Sequence, residues 1–287
     1  MKQVFTGLVL GLSLSVWGSV GLGQTCGNLC DADWWDSASQ DAIEKEISSA
    51  DLNARNMDGE TALMIAAQWG SRDGIRALLE AGADLNARDM EGETALINAA
   101  VSGHGDGIRA LLEAGADLNA RDTDGETALM IAAQWGSRDG IRALLEAGAD
   151  LNARDTDGET ALMSAVLFEN GDGMRALLEA GADVNAREAD GETALMSAVF
   201  GRTAGNIRAL LEAGADVNAR NIEGETALMI AAQWGSRDGI RALLEAGADL
   251  NARNTDGETA LIYLDRQFSN RNKTDEYWKI RDLLWTD

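Results

Sequence analysis

Apolar residues recur along this chain at helical spacing, stop, and then begin again. Within residues 59–91, Leu63, Ala66 and Ala67 fall on one face of a helix that starts after Thr61, whose hydroxyl can cap it. That helix ends before Gly70. A second apolar stripe, Ile75, Leu78 and Leu79, predicts a second helix, stopped at Gly82, where a residue without a Cβ can turn left-handed. The segment from Ala83 to Gly92 is rich in Asn, Asp and Gly and reads as a hairpin. The unit is therefore helix, turn, helix, hairpin, and its small alanines let neighbouring helices approach closely.

The same unit returns along the chain. The pentapeptide Gly-Glu-Thr-Ala-Leu begins at Gly59, Gly92, Gly125, Gly158, Gly191, Gly224 and Gly257, in steps of 33 residues. A fixed period of this length marks a solenoid, in which stacking supplies the core that no single unit can bury. Before the array, Ile43 and Ile47 lie on one helix face ahead of the hairpin Ala50 to Arg55, which suits an N-terminal cap. At the other end, Ile240-Arg241-Ala242-Leu243-Leu244 has its counterpart in Ile280-Arg281-Asp282-Leu283-Leu284. The spacing there is 40 residues, so the last unit carries an insertion near Phe268 to Thr274. The expected organisation is a leader over 1–23, an N-terminal segment and cap over 24–58, six full units over 59–256, and a modified C-terminal cap over 257–287.

These residues resemble the ankyrin repeat. The resemblance rests on Gly-Glu-Thr-Ala-Leu, the Ala-Ala pair and the Leu-Leu-Glu-Ala-Gly-Ala-Asp-Leu-Asn-Ala run, repeated in frame over about residues 31–287. It implies an all-α solenoid of stacked helix-turn-helix units with β-hairpin loops, and a non-catalytic role in holding a partner protein. The opening Cys30-Asp31-Ala32-Asp33-Trp34-Trp35 is similar to the start of some exported bacterial members. One departure stands out. The family's Thr-Pro-Leu-His appears here as Thr61-Ala62-Leu63-Met64, without the Pro that preorganises the first turn or the His that ties Thr into a network. Alanine favours the helix and methionine packs adaptably, so the fold is expected to persist.

Charge narrows the set of partners. The formal net charge is −24, from 48 acidic against 24 basic residues. Such an excess repels nucleic acid and anionic lipid and favours cationic partners. Val4 to Gly23 carries no charge and follows Lys2, which reads as a secretory signal peptide cut before Gln24. An uncleaved anchor is the alternative, and the abundant Gly and Ser weaken it. The expected location is accordingly the periplasm or the exterior, with no stable membrane insertion once the leader is removed. Cys26 and Cys30 are expected to close a small disulfide loop there, since C-x-x-x-C lacks the spacing of a redox pair.

Catalytic machinery is not expected. The single histidine, His104, sits between two glycines and reads as a turn residue. No G-x-S-x-G, Walker or dinucleotide motif occurs, and no Cys/His cluster offers zinc ligands. Asp122-Thr123-Asp124-Gly125-Glu126 invites a calcium reading, but an EF-hand register would place Ala120 and Ile131 at ligand positions. The expectation is no enzyme, no cofactor and no bound metal.

The resemblance places partners on a concave face built from the hairpin tips and first helices. The end of the first helix presents Gln68-Trp69, Gln134-Trp135 and Gln233-Trp234, with Phe168 at the corresponding point of the fourth unit and Phe200 beside that of the fifth. With helices stacked roughly 10 Å apart, Trp69 and Trp135 would stand about 20 Å from one another. Tryptophan is a preferred binding anchor. The hairpins present Arg88, Arg121, Arg154, Arg187 and Arg220, flanked by Arg55 and Arg253, beside a column of acids from Asp58 to Asp256. Rows of opposite sign are expected to pair between adjacent units, and the arginines are also candidate partner contacts. The leading expectation is an exported protein-binding scaffold, monomeric or dimeric through its C-terminal end. An acidic structural or protective envelope protein with weak cation binding is the second reading.

Overall fold

The computed structural model describes residues 27–201, 204–268 and 275–285. The proposed leader and Cys26 lie outside them, as do most of the residues of the C-terminal insertion. After a 3-10 turn at Gly27–Cys30, α1 (Ala32–Ser37) and α2 (Gln40–Ile47) form the N-terminal cap. Six helix pairs follow: α3 (Ala62–Gln68) and α4 (Arg72–Glu80); α5 (Ala95–Ser102) and α6 (Gly105–Glu113); α7 (Ala128–Trp135) and α8 (Arg138–Glu146); α9 (Ala161–Leu167) and α10 (Gly171–Glu179); α11 (Ala194–Phe200) and α12 (Ala204–Glu212); α13 (Ala227–Trp234) and α14 (Arg237–Glu245). The last unit holds α15 (Ala260–Gln267) and α16 (Asp275–Leu284). None of the described helices is long and apolar enough to cross a membrane.

First helices stack on first helices, from α3 through to α15, and second helices stack behind them. The first helix is consequently buried on every side, as Ala62 through Ala67 show, rather than along one stripe. The second helix buries only Ile75 and Leu78 fully and keeps a polar outer face. Among neighbouring second helices, α10 and α12 pack least closely. Elsewhere the previous unit's isoleucine reaches a glycine on the next helix, so that a Cβ on Gly140 would lie 3.1 Å from Ile108 Cδ1. At α12 that glycine is replaced by the buried Asn206.

Local chemistry explains the repeated motif. Thr61 caps α3 by accepting the Met64 N–H, and its own N–H donates to the Met64 sulfur at 3.3 Å. Thr127 and Met130 do the same on α7. The thioether thus accepts the cap residue's own N–H. Gly125 adopts φ +82°, and a Cβ there would meet the Thr156 backbone N at 3.0 Å. Unit contacts unit through this point, where Thr156 N–H donates to Asp124 O at 2.9 Å.

The hairpins form no strands among the described residues, only isolated bridges at Arg55–Thr61 and Arg121–Thr127. Their remaining bonds run to the next unit. Asn53 accepts from Asp84 N–H at 2.9 Å, and Asn86, Asn152, Asn185 and Asn218 repeat the contact down the stack.

The caps close the apolar ends. Trp35 is buried and donates its indole N–H to Leu29 O at 2.8 Å. At the far end, Tyr277, Ile280 and Leu284 turn inward from α16.

One backbone position departs from the pattern. Glu169 takes φ +57° in the turn after α9, where Gly70, Gly103 and Gly235 stand in other units. Glu169→Gly is expected to raise stability by about 1 kcal/mol in urea unfolding, because a left-handed non-glycine residue costs roughly that much.

Candidate functional site

Three parallel columns follow from stacking identical units. At the hairpin tips stand Met57, Met90 and Ile222, which are 85%, 74% and 67% exposed. At the far end of each first helix, about 12 Å from its start because eight residues rise about 1.5 Å each, stand the aromatic residues. Between the two lie the glutamates of the pentapeptide, Glu60, Glu93, Glu126, Glu159, Glu192, Glu225 and Glu258, all half-buried.

The aromatic column is partly solvent-facing and partly paired. Trp69, Trp135 and Trp234 are 46%, 55% and 41% exposed, and Phe200 is similar. Trp135 meets Phe168 edge-on at 4.7 Å between centroids, and Phe200 meets Trp234 at 5.6 Å. Each contact joins one unit to the next and adds about 0.5–1.5 kcal/mol beyond burial. The second unit carries Ser102 at this point, so Trp69 has no aromatic neighbour there. Of the glutamines, Gln68 is exposed, while Gln134 bonds its amide to Glu126 along α7.

The glutamates are held by their surroundings. Asp89 Oδ1 accepts the Glu93 N–H at 2.9 Å, and Asp122 and Asp155 do the same for Glu126 and Glu159. The carboxyl groups of each such pair thereby share one corner of the hairpin. Burial first, and neighbouring carboxylates second, push Glu93, Glu126 and Glu159 up to about 7. Glu60 and Glu192 shift upward for the same first reason. At the ends of the array Asn56, Asn221 and Asn254 replace the hairpin acid. No group of three His, Cys, Asp or Glu side chains among the described residues could hold a metal ion.

The arginines work differently from the expected ion-pair rows. Arg55, Arg88, Arg121, Arg154, Arg187 and Arg220 each donate to the main-chain carbonyl of the matching arginine one unit later. Most also donate to their own hairpin glycine, as Arg121 does to Gly125 O at 2.8 Å. No ion pair joins the arginine and acidic columns among the described residues. A fixed 33-residue step puts a carbonyl within reach of every guanidinium, and a cation bonded to main chain has less to offer a carboxylate. The exposed outer edges of these arginines still border the tips. His104 lies at the start of α6, as expected of a turn residue, but its side chain makes no capping bond.

Sequence reasoning placed partners at the hairpin tips and set Glu60 and its repeats beside the acidic column, but it did not single out Met57, Met90 and Ile222 or expect the glutamates to be half-buried. The signal for the tips was present, because the residue two before each pentapeptide glycine runs Met57, Met90, Thr123, Thr156, Ala189, Ile222, Thr255.

The architecture defines a helical repeat solenoid with one long polar-and-aromatic side. A family model for ankyrin repeats in three copies matches residues 36–122, 89–155, 115–188 and 186–254, and the chain belongs to the ankyrin repeat family. The ankyrin repeat domain of Bcl-3, described as a unique member of the IkappaB protein family, is similar at 32% identity with a TM-score of 0.67, over 79% of this chain and 99% of that one. The human ASB11 ankyrin repeat domain is similar at 26% identity and the same TM-score of 0.67, over 78% of this chain and 96% of that one. No curated protein matches the chain. Ankyrin repeat domains are generally scaffolds for protein–protein interaction and typically non-catalytic.

Proposed function

We propose that this chain is an exported, non-catalytic scaffold that holds a basic partner protein against its first-helix side. The observation that carries the reading is the row of half-exposed aromatic residues at the helix ends, Trp69, Trp135, Phe168, Phe200 and Trp234. Rings already fixed by edge contacts lose little freedom on binding, so their burial is converted efficiently into affinity. The glutamate column beside them supplies the charge that selects a cationic partner and speeds encounter. The exposed tips extend the contact across the hairpins. The arginines act first as stitches that keep the units in register, with their outer edges at the rim of the contact.

Affinity capture compares the wild-type chain with Trp135→Ala/Phe168→Ala and with Trp234→Ala. A partner held by aromatic anchors should be bound at least about 30-fold more weakly by each variant, since an anchor residue contributes about 2 kcal/mol or more. Equal capture by all three chains would reject the reading and favour a solvating envelope protein. Export is tested separately by mass spectrometry of the chain from its own cell, which should begin at Gln24 and carry Cys26 joined to Cys30.

A further inference from the structure

The outer side of the last helix carries a pattern that the scaffold reading does not use. On α16, Tyr277, Ile280 and Leu284 face the core, Trp278, Arg281 and Asp282 run along the flank beside that face, and Trp285, the residue after the helix, continues their line at i+7. Trp278 is 46% exposed and Trp285 51%. The Arg281 guanidinium stands 5.4 Å from the Trp278 ring centre and 4.4 Å from that of Trp285. Neither Arg281 nor Asp282 forms an ion pair within the chain among the described residues. A solenoid ordinarily ends on a polar outer face. This one ends on two indoles with a cation between them.

Read in either direction, the stripe is the same in chemical kind: ring, charge, charge, ring. Two such helices laid antiparallel about a two-fold axis set Trp278 against Trp285 of a second copy, and Arg281 against Asp282 of that copy. Both charge pairs and both ring pairs are then satisfied at once, which is the requirement of an isologous contact. We infer that the outer face of α16 is a self-association surface, and that its occupant is the same face of a second copy of this chain.

Other occupants fit less well. The N-terminal cap of another copy is strongly acidic, with Asp31, Asp33, Asp41 and Glu44 against Lys45. It could take Arg281 but would leave Asp282 facing like charges. A lipid surface has no use for Asp282, and an anionic one is repelled by the body of the chain. The contact is small. A fully buried aromatic side chain accounts for roughly 150–250 Å², and about half of each ring is already covered in the monomer, so the interface is a weak, reversible one below the size of stable dimers. Its consequence is bivalency, because two arrays joined at their C-terminal ends offer two binding sides to a repetitive or clustered partner.

Sedimentation equilibrium of the full chain between about 1 and 200 µM provides the test. The wild type should pass reversibly from monomer to dimer and no further. Trp278→Ser/Trp285→Ser should remain monomeric throughout, with its helical circular dichroism retained. Arg281→Asp places acid against acid, and Asp282→Arg places base against base, so each alone should weaken the dimer at least about tenfold. Mixed in equal amounts, the two single variants should form a one-to-one dimer, because each supplies the charge that the other lacks. A wild type that stays monomeric, a dimer that survives loss of both indoles, growth beyond dimer, or a mixture that does not pair would each overturn the inference. So would co-sedimentation of monomer with phosphatidylcholine vesicles in a manner that depends on Trp278 and Trp285. The mixing arm stays decisive even where the double serine variant fails to fold.

Discussion

Gly103→Ala is expected to remove about 3 kcal/mol of stability and to split urea unfolding into two steps. Gly103 ends α5 in the left-handed region, at φ 67° and ψ 13°. An alanine held there costs roughly 1–2 kcal/mol. Its methyl would also lie 2.3 Å from the Ser137 backbone N and 3.0 Å from Gly136 Cα. Those are main-chain atoms of the next unit, so relief requires the units to separate, at an overpacking cost of about 1–3 kcal/mol. Separation also loses the bond from the Ser137 hydroxyl to Gly103 O. In a linear array the coupling between neighbours carries the cooperativity. A weakened joint between the second and third units should therefore let the cap and first two units unfold ahead of the rest. Circular dichroism should show a biphasic curve, with Trp34, Trp35 and Trp69 reporting the early phase and Trp135 and Trp234 the late one. Gly171→Ala is the control, since nothing stands within 4 Å of a Cβ there. A single transition at the wild-type midpoint for Gly103→Ala would show that the joint tolerates the methyl.

That joint illustrates what could be read from the chain and what could not. The period, the apolar stripes of α4 and its counterparts, and the caps at Ile43 and Ile280 were all legible, because each is a local pattern repeated in frame. The aromatic residues at 69, 135, 168, 200 and 234 were legible as surface for the same reason. Relations between units were not. A column of arginines beside a column of acids suggests ion pairs, and only the 33-residue step, realised in space, brings a backbone carbonyl to each guanidinium instead. Glu126 looks like a solvated polar residue in the pentapeptide, yet stacking folds it along α7 onto Gln134 and excludes much of its water. Met64 offers an acceptor to Thr61 only once the first turn of α3 is formed. The two-fold character of Trp278, Arg281, Asp282 and Trp285 depends on which side of α16 faces the core.

The glutamate column also sets how stability should respond to pH, and the direction is opposite to ordinary acid denaturation. Glu93, Glu126 and Glu159 rise from 4.5 to about 7 on folding, because burial and neighbouring carboxylates disfavour their charged forms. The folded chain therefore binds more protons than the unfolded one between these values, and stability falls as pH rises across that window. The contribution is fully present below about 4.5 and is lost above about 7. A tenfold change in a carboxyl group's proton affinity corresponds to about 1.4 kcal/mol. Partial contact with water reduces what each site delivers, leaving a summed effect on the order of a few kcal/mol. The chain should melt several degrees higher at pH 5.5 than at pH 8, and added salt should recover part of the loss at pH 8 by screening the column. Glu93→Gln/Glu126→Gln/Glu159→Gln removes the titrating groups while keeping acceptors for Asn98 and Gln134. It should melt at nearly the same temperature at both pH values and exceed the wild type at pH 8. A wild type more stable at pH 8 than at 5.5 would mean that these carboxyl groups are well hydrated and that the column holds no repulsion. A retained repulsion has a functional consequence, because a lysine- or arginine-rich partner laid along Glu93, Glu126 and Glu159 relieves it. Binding of such a partner should then raise the melting temperature more at pH 8 than at pH 5.5, which ties the charge of the face to the charge of what it holds.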